Sequence, residues 1–206
     1  MNKFQEKLYQ KIITKRDKIM RPFTISLSLL KVSPNIVTAS GIIFMILFAY
    51  FLETNPLWAA NFLIISLILD SLDGALARYQ GQANDRGKFI DISADVLNYF
   101  IFLGGLTIAQ IIEPLSLLLL AFFMLASKTL RVFINSKKYN SNWLFRPVAG
   151  FLPNLISYLS YIIIVLPIYF KYGIIQNQIF FIFALILIID TIINFFQIIR
   201  RNDIQY

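Results

Sequence analysis

Apolar positions run along this chain in six long stretches, roughly 35–53, 57–79, 88–109, 114–134, 148–170 and 176–199. At about 1.5 Å of rise per residue, some 20 apolar residues make a helix that crosses the ~30 Å hydrocarbon core of a bilayer. The breaks are short. Asn55-Pro56 and Glu113-Pro114 interrupt two of them, and the polar string from Gln80 to Arg86 interrupts a third, each carrying residues that stop a helix or open a turn. Ahead of the first run the pattern changes. Over residues 3–20, Phe4, Leu8 and Ile12 recur at helical spacing beside a row of Lys3, Lys7, Lys11 and Lys15, the signature of an amphipathic helix lying in the membrane interface. The apolar stripe is brief, so a solvated basic tail is the competing reading. The expected fold is therefore an all-α integral membrane protein. A single domain, 1–206, would comprise an N-terminal amphipathic juxtamembrane segment, 1–32, and six transmembrane helices, 33–206.

Composition agrees and adds exclusions. The chain is 58% hydrophobic and 16% aromatic, above the range of soluble domains. No short apolar core with a small-residue cleavage site precedes the first run, so the chain is expected to insert intact. It has no cysteine and no histidine, which removes disulfides, thiolate metal sites and the usual general base. Acid-base or metal chemistry falls to carboxylates. A net charge of +8 could point to nucleic acid, but the basic residues follow membrane orientation instead. Eight precede the first run, three flank the second connection, five the fourth and two the end of the last run, whereas the alternate connections hold only Lys171. Both termini are expected in the cytoplasm, and no nucleic-acid partner is expected.

The chemistry concentrates in four aspartates within apolar runs: Asp70 and Asp73 on the second, Asp91 and Asp95 on the third. Ionisable groups inside membrane segments are costly and read as functional sites. Spacings of three and four put each pair on one helical face. Asp70 lies roughly 12 Å and Asp73 roughly 8 Å inside the Arg78 end of its helix, and the other pair lies at comparable depth from Gly87 on the antiparallel neighbour, so all four are expected at one level near the cytoplasmic face. Crowded carboxylates repel unless cations neutralise them, and hard oxygen ligands suit Mg²⁺, Mn²⁺ or Ca²⁺. Two divalent ions balance the charge and fit the binding and cleavage of a diphosphate. Gly74, Ala77 and Gly87 keep space for a ligand beside the backbone. Arg78 can offer a bidentate fork to phosphate, or can serve as a cytoplasmic anchor.

The string Asp70-x-x-Asp73-Gly74-x-x-Ala77-Arg78, eight residues, then Gly87-x-x-x-Asp91-x-x-x-Asp95 resembles the signature of the CDP-alcohol phosphotransferases at every fixed position. The amphipathic start and six runs are similar to that family's common core, so the likeness covers essentially the whole chain. The resemblance implies a phospholipid-synthesising transferase that moves a substituted phosphate from a CDP-linked donor to an alcohol, releasing CMP. It implies that Asp70, Asp73 and Asp91 hold two divalent cations, Mg²⁺ or Mn²⁺, and that Asp95, also close to the metals, is the base for the acceptor hydroxyl. Pro34-Asn35-Ile36-Val37-Thr38 is similar to a segment that helps hold the cytidine end in this family, although Pro at a helix start with polar caps is ordinary.

Three cations address the acceptor: Lys128 and Arg131, on one face of the fourth run, and Arg146 at the threshold of the fifth. They suit an acceptor carrying its own phosphate, glycerol phosphate or inositol phosphate, better than cationic choline or ethanolamine. Snorkelling anchors are the alternative. CDP-diacylglycerol is the simplest donor, since its acyl chains can remain in the bilayer. Serine or an amino alcohol as acceptor, or a soluble CDP-amino-alcohol with diacylglycerol, would use the same signature. Rivals of other kinds are an ion-coupled transporter, a prenyl-transferring enzyme with Asp-rich motifs and an inert homologue. A homodimer through membrane helices is expected by likeness to the family, and Asp190, inside the last run, has no assigned role.

Overall fold

The computed structural model describes residues 3–135, 156–157, 159–165 and 176–202, and among the described residues all regular structure is helical. The helices are α1 (Lys3–Leu29), α2 (Pro34–Thr54), α3 (Pro56–Tyr79), α4 (Asp85–Ile108), α5 (Pro114–Asn135) and α6 (Gln176–Asn202), with a further helical stretch at 159–165. Four are long and apolar enough to cross a membrane: α2, α3, the part of α4 from Phe89 to Ile108, and α6 from Gln178 to Phe196. The apolar part of α5, Pro114–Ser127, is shorter. Most of the expected fifth span, 148–170, lies outside the described residues. The chain groups into two compact units, Met1–Gly105 and Leu106–Tyr206.

In the first unit the turns are set by local chemistry. Ser33 adopts an extended conformation and its side chain accepts the Ile36 N–H, with Pro34 at the first helical position of α2. Asn55 closes α2 by donating its N–H to Phe51 and opens α3 by accepting the Trp58 N–H on its side chain, so one residue separates the two helices. Gly81, at φ +67, supplies the left-handed turn after α3 that a side chain disfavours. Asn84 then caps α4 through the Gly87 N–H at 2.7 Å.

α1 is longer than the sequence pattern predicts, continuing past Pro22 to Leu29. A proline inside a helix removes a hydrogen bond and crowds the preceding turn. Here packing prevails: Met20 and Leu27 of α1, with Val32 after it, sit against Val37 of α2 and Leu72 and Leu76 of α3. Thr24 and Ser26 donate their hydroxyls to the Arg21 and Pro22 carbonyls, engaging backbone acceptors around the proline.

α2 and α3 pack as an antiparallel pair. Ser66 donates to the Gly41 carbonyl at 2.9 Å in a buried contact, and Met45, Phe48, Leu52, Ala59, Ala60 and Leu63 are fully covered. Tyr50, Trp58, Ile64 and Ile68 face outward. Lipid tails are as apolar as these side chains, so helices in a bilayer associate through close packing and small residues, without a hydrophobic drive between them. The tightest approach shows this. A Cβ on Gly105 of α4 would stand 2.8 Å from the Ala49 Cβ and 3.0 Å from its Cα, and Phe48 stacks on Phe102 beside it at 5.4 Å. Gly105→Ala should force α2 and α4 apart and cost about 1–3 kcal/mol. Gly104→Ala, whose Cβ meets nothing within 4 Å among the described residues, should be neutral or mildly stabilising. Melting temperatures in detergent check the contrast, and equal values for the two variants would refute the contact.

In the second unit α5 packs on α6 around a buried polar cluster. The Ser127 hydroxyl donates to Asp190 at 2.5 Å and the Asn194 amide donates to the same carboxylate oxygen at 3.1 Å. Ser127 and Asn194 are fully buried and Asp190 nearly so. The otherwise unassigned intramembrane carboxylate thus links α5 and α6 through neutral donors, which supply hydrogen bonds that lipid cannot.

Candidate active site

The motif aspartates lie on α3 and α4 in the first unit, and the structure brings them into one electrostatic group. The Asp70 carboxyl hydrogen-bonds Asp95 and feels the charges of Asp73 and Asp91. Asp73 in turn interacts with Asp91 and Asp95. Their exposure is graded: Asp73 is buried at 4%, Asp70 and Asp95 are half-buried, and Asp91 is exposed. A group sealed at one end and open at the other can admit a ligand at the Asp91 side.

Asp73 is held from α2. The Thr38 hydroxyl donates to its Oδ2 at 2.6 Å. The Pro34 carbonyl, at 3.1 Å, is a second acceptor within reach of that hydroxyl, but a hydroxyl has one proton, and the short bond to a carboxylate is the stronger. Among the described residues Oδ1 of Asp73 is buried without a hydrogen-bond donor, with the Gly74 N–H the nearby backbone group that acts on the carboxylate. A buried carboxylate oxygen lacking a donor, among three other carboxyls, fits a hard divalent cation. Among the described residues no three acidic groups stand as a finished metal cage. Asp70, Asp73 and Asp91 would hold such an ion, with Asp95 alongside.

The other sequence-predicted residues are placed as follows. Pro34 begins α2, and the exposed Asn35 lines, with Thr38, Phe89, Ile90, Ser93 and Leu97, a mostly apolar groove of about 290 Å³ between α2 and α4. Ala77 is half-buried in the last turns of α3. The Gly87 N–H is taken by Asn84, and a Cβ there would meet only that side chain, at 3.5 Å. The space beside Gly74 is occupied by cations: a Cβ there would lie 3.4 Å from Arg78 Nη1 and 3.7 Å from Arg16 Nη2. Lys128 and Arg131 lie on α5 in the second unit, but their side chains, and all of Arg146, lie outside the described residues.

The sequence reading missed α1 as a contributor. Arg78 donates from Nε to Asp17 Oδ2 at 2.8 Å and from Nη2 to Oδ1 at 2.6 Å, so its fork grips a carboxylate of the N-terminal helix. Arg78 holds the Asp17 carboxyl below the usual carboxylate range. A lowered folded-state pKa gives a contribution present above the unfolded value of 3.8 and lost as pH falls below it, so the pair persists at neutral pH. The signal available in the sequence was the Arg16-Asp17 dipeptide, which interrupts the lysine row.

Residues 31–189 match the CDP-alcohol phosphatidyltransferase family. The chain belongs to that family. The match contains all four aspartates and begins just before α2. Among relatives, an archaetidylinositol phosphate synthase of Pyrococcus horikoshii is 37% identical over 87 residues, covering 39% of this chain and 46% of that protein. The corresponding protein of Aeropyrum pernix is 33% identical over 86 residues, 41% of this chain and 44% of the relative. A human CDP-diacylglycerol–inositol 3-phosphatidyltransferase is 36% identical over 62 residues, 30% of this chain and 29% of the relative. The chain thus spans less than half the length of the curated relatives it matches. Its apolar helices make it a multi-pass membrane protein.

Proposed function

We propose that this protein transfers a phosphatidyl-type group from a CDP-linked lipid, CDP-diacylglycerol, to a phosphorylated polyol, with release of CMP. The observation that carries the reading is the Asp73 carboxylate, held by Thr38 on one oxygen and lacking a donor on the other among the described residues, with Asp70, Asp91 and Asp95 close enough to act on one another electrostatically. The acceptor oxygen bonds the phosphatidyl phosphorus, the P–O bond to CMP breaks, and the hydroxyl proton passes to Asp95. Two bound divalent ions, Mg²⁺ or Mn²⁺, would neutralise the diphosphate and stabilise the leaving CMP. Asp70, Asp73 and Asp91 hold them. Gly74, Ala77, Arg78 and Gly87, with Pro34, Asn35 and Thr38, form the donor seat. Inositol phosphate is favoured over glycerol 3-phosphate because two relatives carry the name archaetidylinositol phosphate synthase. Lys128, Arg131 and Arg146 would receive its phosphate.

The same reading takes the whole chain, 1–206, as one working domain. It has six spans, an interfacial amphipathic α1, both termini and the site on the cytoplasmic side, and a homodimeric assembly. Purified protein should release CMP from CDP-diacylglycerol and Mg²⁺ or Mn²⁺ with inositol 1-phosphate, and much less with glycerol 3-phosphate, inositol, serine or amino alcohols. Chelation of the metal should take the rate to background. Metal-independent turnover, or ion flux without bond cleavage, would reject the proposal.

A further inference from the structure

The donor seat drawn from the motif leaves out a cation that the fold delivers to the same place. Arg16, on α1, reaches across to α3 so that its Nη2 lies beside Gly74, next to Arg78 Nη1. Two guanidinium tips therefore flank the residue that follows Asp73. Like charges this close need a counter-ion, and Asp17 supplies one: it grips Arg78 with both oxygens and stands 3.9 Å from Arg16 Nε. The short contacts of Asp17 are with Arg78, and Arg16 stands farther off. Arg16 Nε is sealed from solvent and has no hydrogen-bond acceptor among the described residues, whereas the Arg16 side chain as a whole remains 40% exposed. A guanidinium with an unsatisfied buried N–H and open outer nitrogens is poised for an added oxyanion.

We propose that Arg16 is a second phosphate-binding residue of the donor site, pairing with Arg78 across Gly74 to hold the diphosphate of the CDP-linked lipid, with Asp17 keeping the two guanidiniums together. The inference rests on the reading of the motif site as a CDP-donor site, and it makes the N-terminal helix part of that site. A diphosphate matches the pair because its oxygens on two phosphorus atoms can accept from the two nitrogens beside Gly74, Arg78 Nη1 and Arg16 Nη2, at once.

The test is calorimetric titration of the full-length protein with CDP in the presence of Mn²⁺, with melting temperature and KM for inositol 1-phosphate measured alongside. Arg16→Gln should weaken CDP binding by about tenfold and raise KM for CDP-diacylglycerol. KM for the acceptor and the melting temperature should stay unchanged. Arg16→Lys, which keeps the charge but loses the fork, should recover part of the loss. CDP affinity within twofold of wild type in Arg16→Gln would overturn the inference while leaving the transferase reading intact. A weakened affinity that comes with a lowered melting temperature and no repair by lysine would overturn it as well, marking a helix-packing role. Absence of CDP binding by the wild-type protein would remove the donor-site reading itself.

Discussion

Exchange of Asp73 for asparagine is expected to reduce CMP release below about one thousandth of the wild-type rate. Ion-mediated charge stabilisation contributes several kcal/mol to such a reaction, and each 1.36 kcal/mol is a factor of ten in rate. The variant tests charge with little change of shape. The asparagine carbonyl can still accept the Thr38 hydroxyl that now bonds Oδ2 at 2.6 Å, so α2 and α3 should remain docked. The oxygen that lacks a donor, Oδ1, becomes an amide that cannot bind a cation. The measurement is CMP release at saturating donor, with CDP binding in Mn²⁺ and the melting temperature as companions. Both activity and metal-dependent CDP binding should be lost at an unchanged melting temperature. A variant retaining a tenth of the activity would exclude Asp73 from the metal set.

Asp95→Asn should separate chemistry from binding. A positioned general base contributes about 10²–10⁴-fold, so kcat should fall by that amount. CDP affinity should stay within a few fold, because Asp70, Asp73 and Asp91 remain. Asparagine can also keep the hydrogen bond to Asp70. If CDP affinity and kcat collapse together, Asp95 holds a cation and another group takes the proton.

The pattern of apolar runs located the helices closely, while four of them are long and apolar enough to span among the described residues. The runs at 35–53, 57–79, 114–134 and 176–199 differ from α2, α3, α5 and α6 by three residues or fewer at either end, because Ser33, Asn55 and the prolines after them carry helix-start chemistry in their side chains. The start of α4 came earlier than its apolar run, since Asn84 caps a polar first turn that hydropathy does not register. The apolar spacing over 3–20 stopped short of the end of α1, where contacts of Met20 and Leu27 with α2 and α3 carry the helix through Pro22 to Leu29; no local rule includes distant neighbours. In the site, spacing alone put Asp70 and Asp73 on one helical face, and Asp91 and Asp95 on another. It could not show Thr38 bonded to Asp73 or Asp17 bonded to Arg78, pairs separated by 35 and 61 positions. Such partners appear only once the helices are docked.

The single residue between α2 and α3 bears on how the chain enters its bilayer. With Asn55 alone joining them, α2 and α3 make a tight hairpin that can enter as a unit. In that hairpin the Thr38 hydroxyl of α2 donates to Asp73 of α3 at 2.6 Å, so the carboxylate has a donor where lipid offers none.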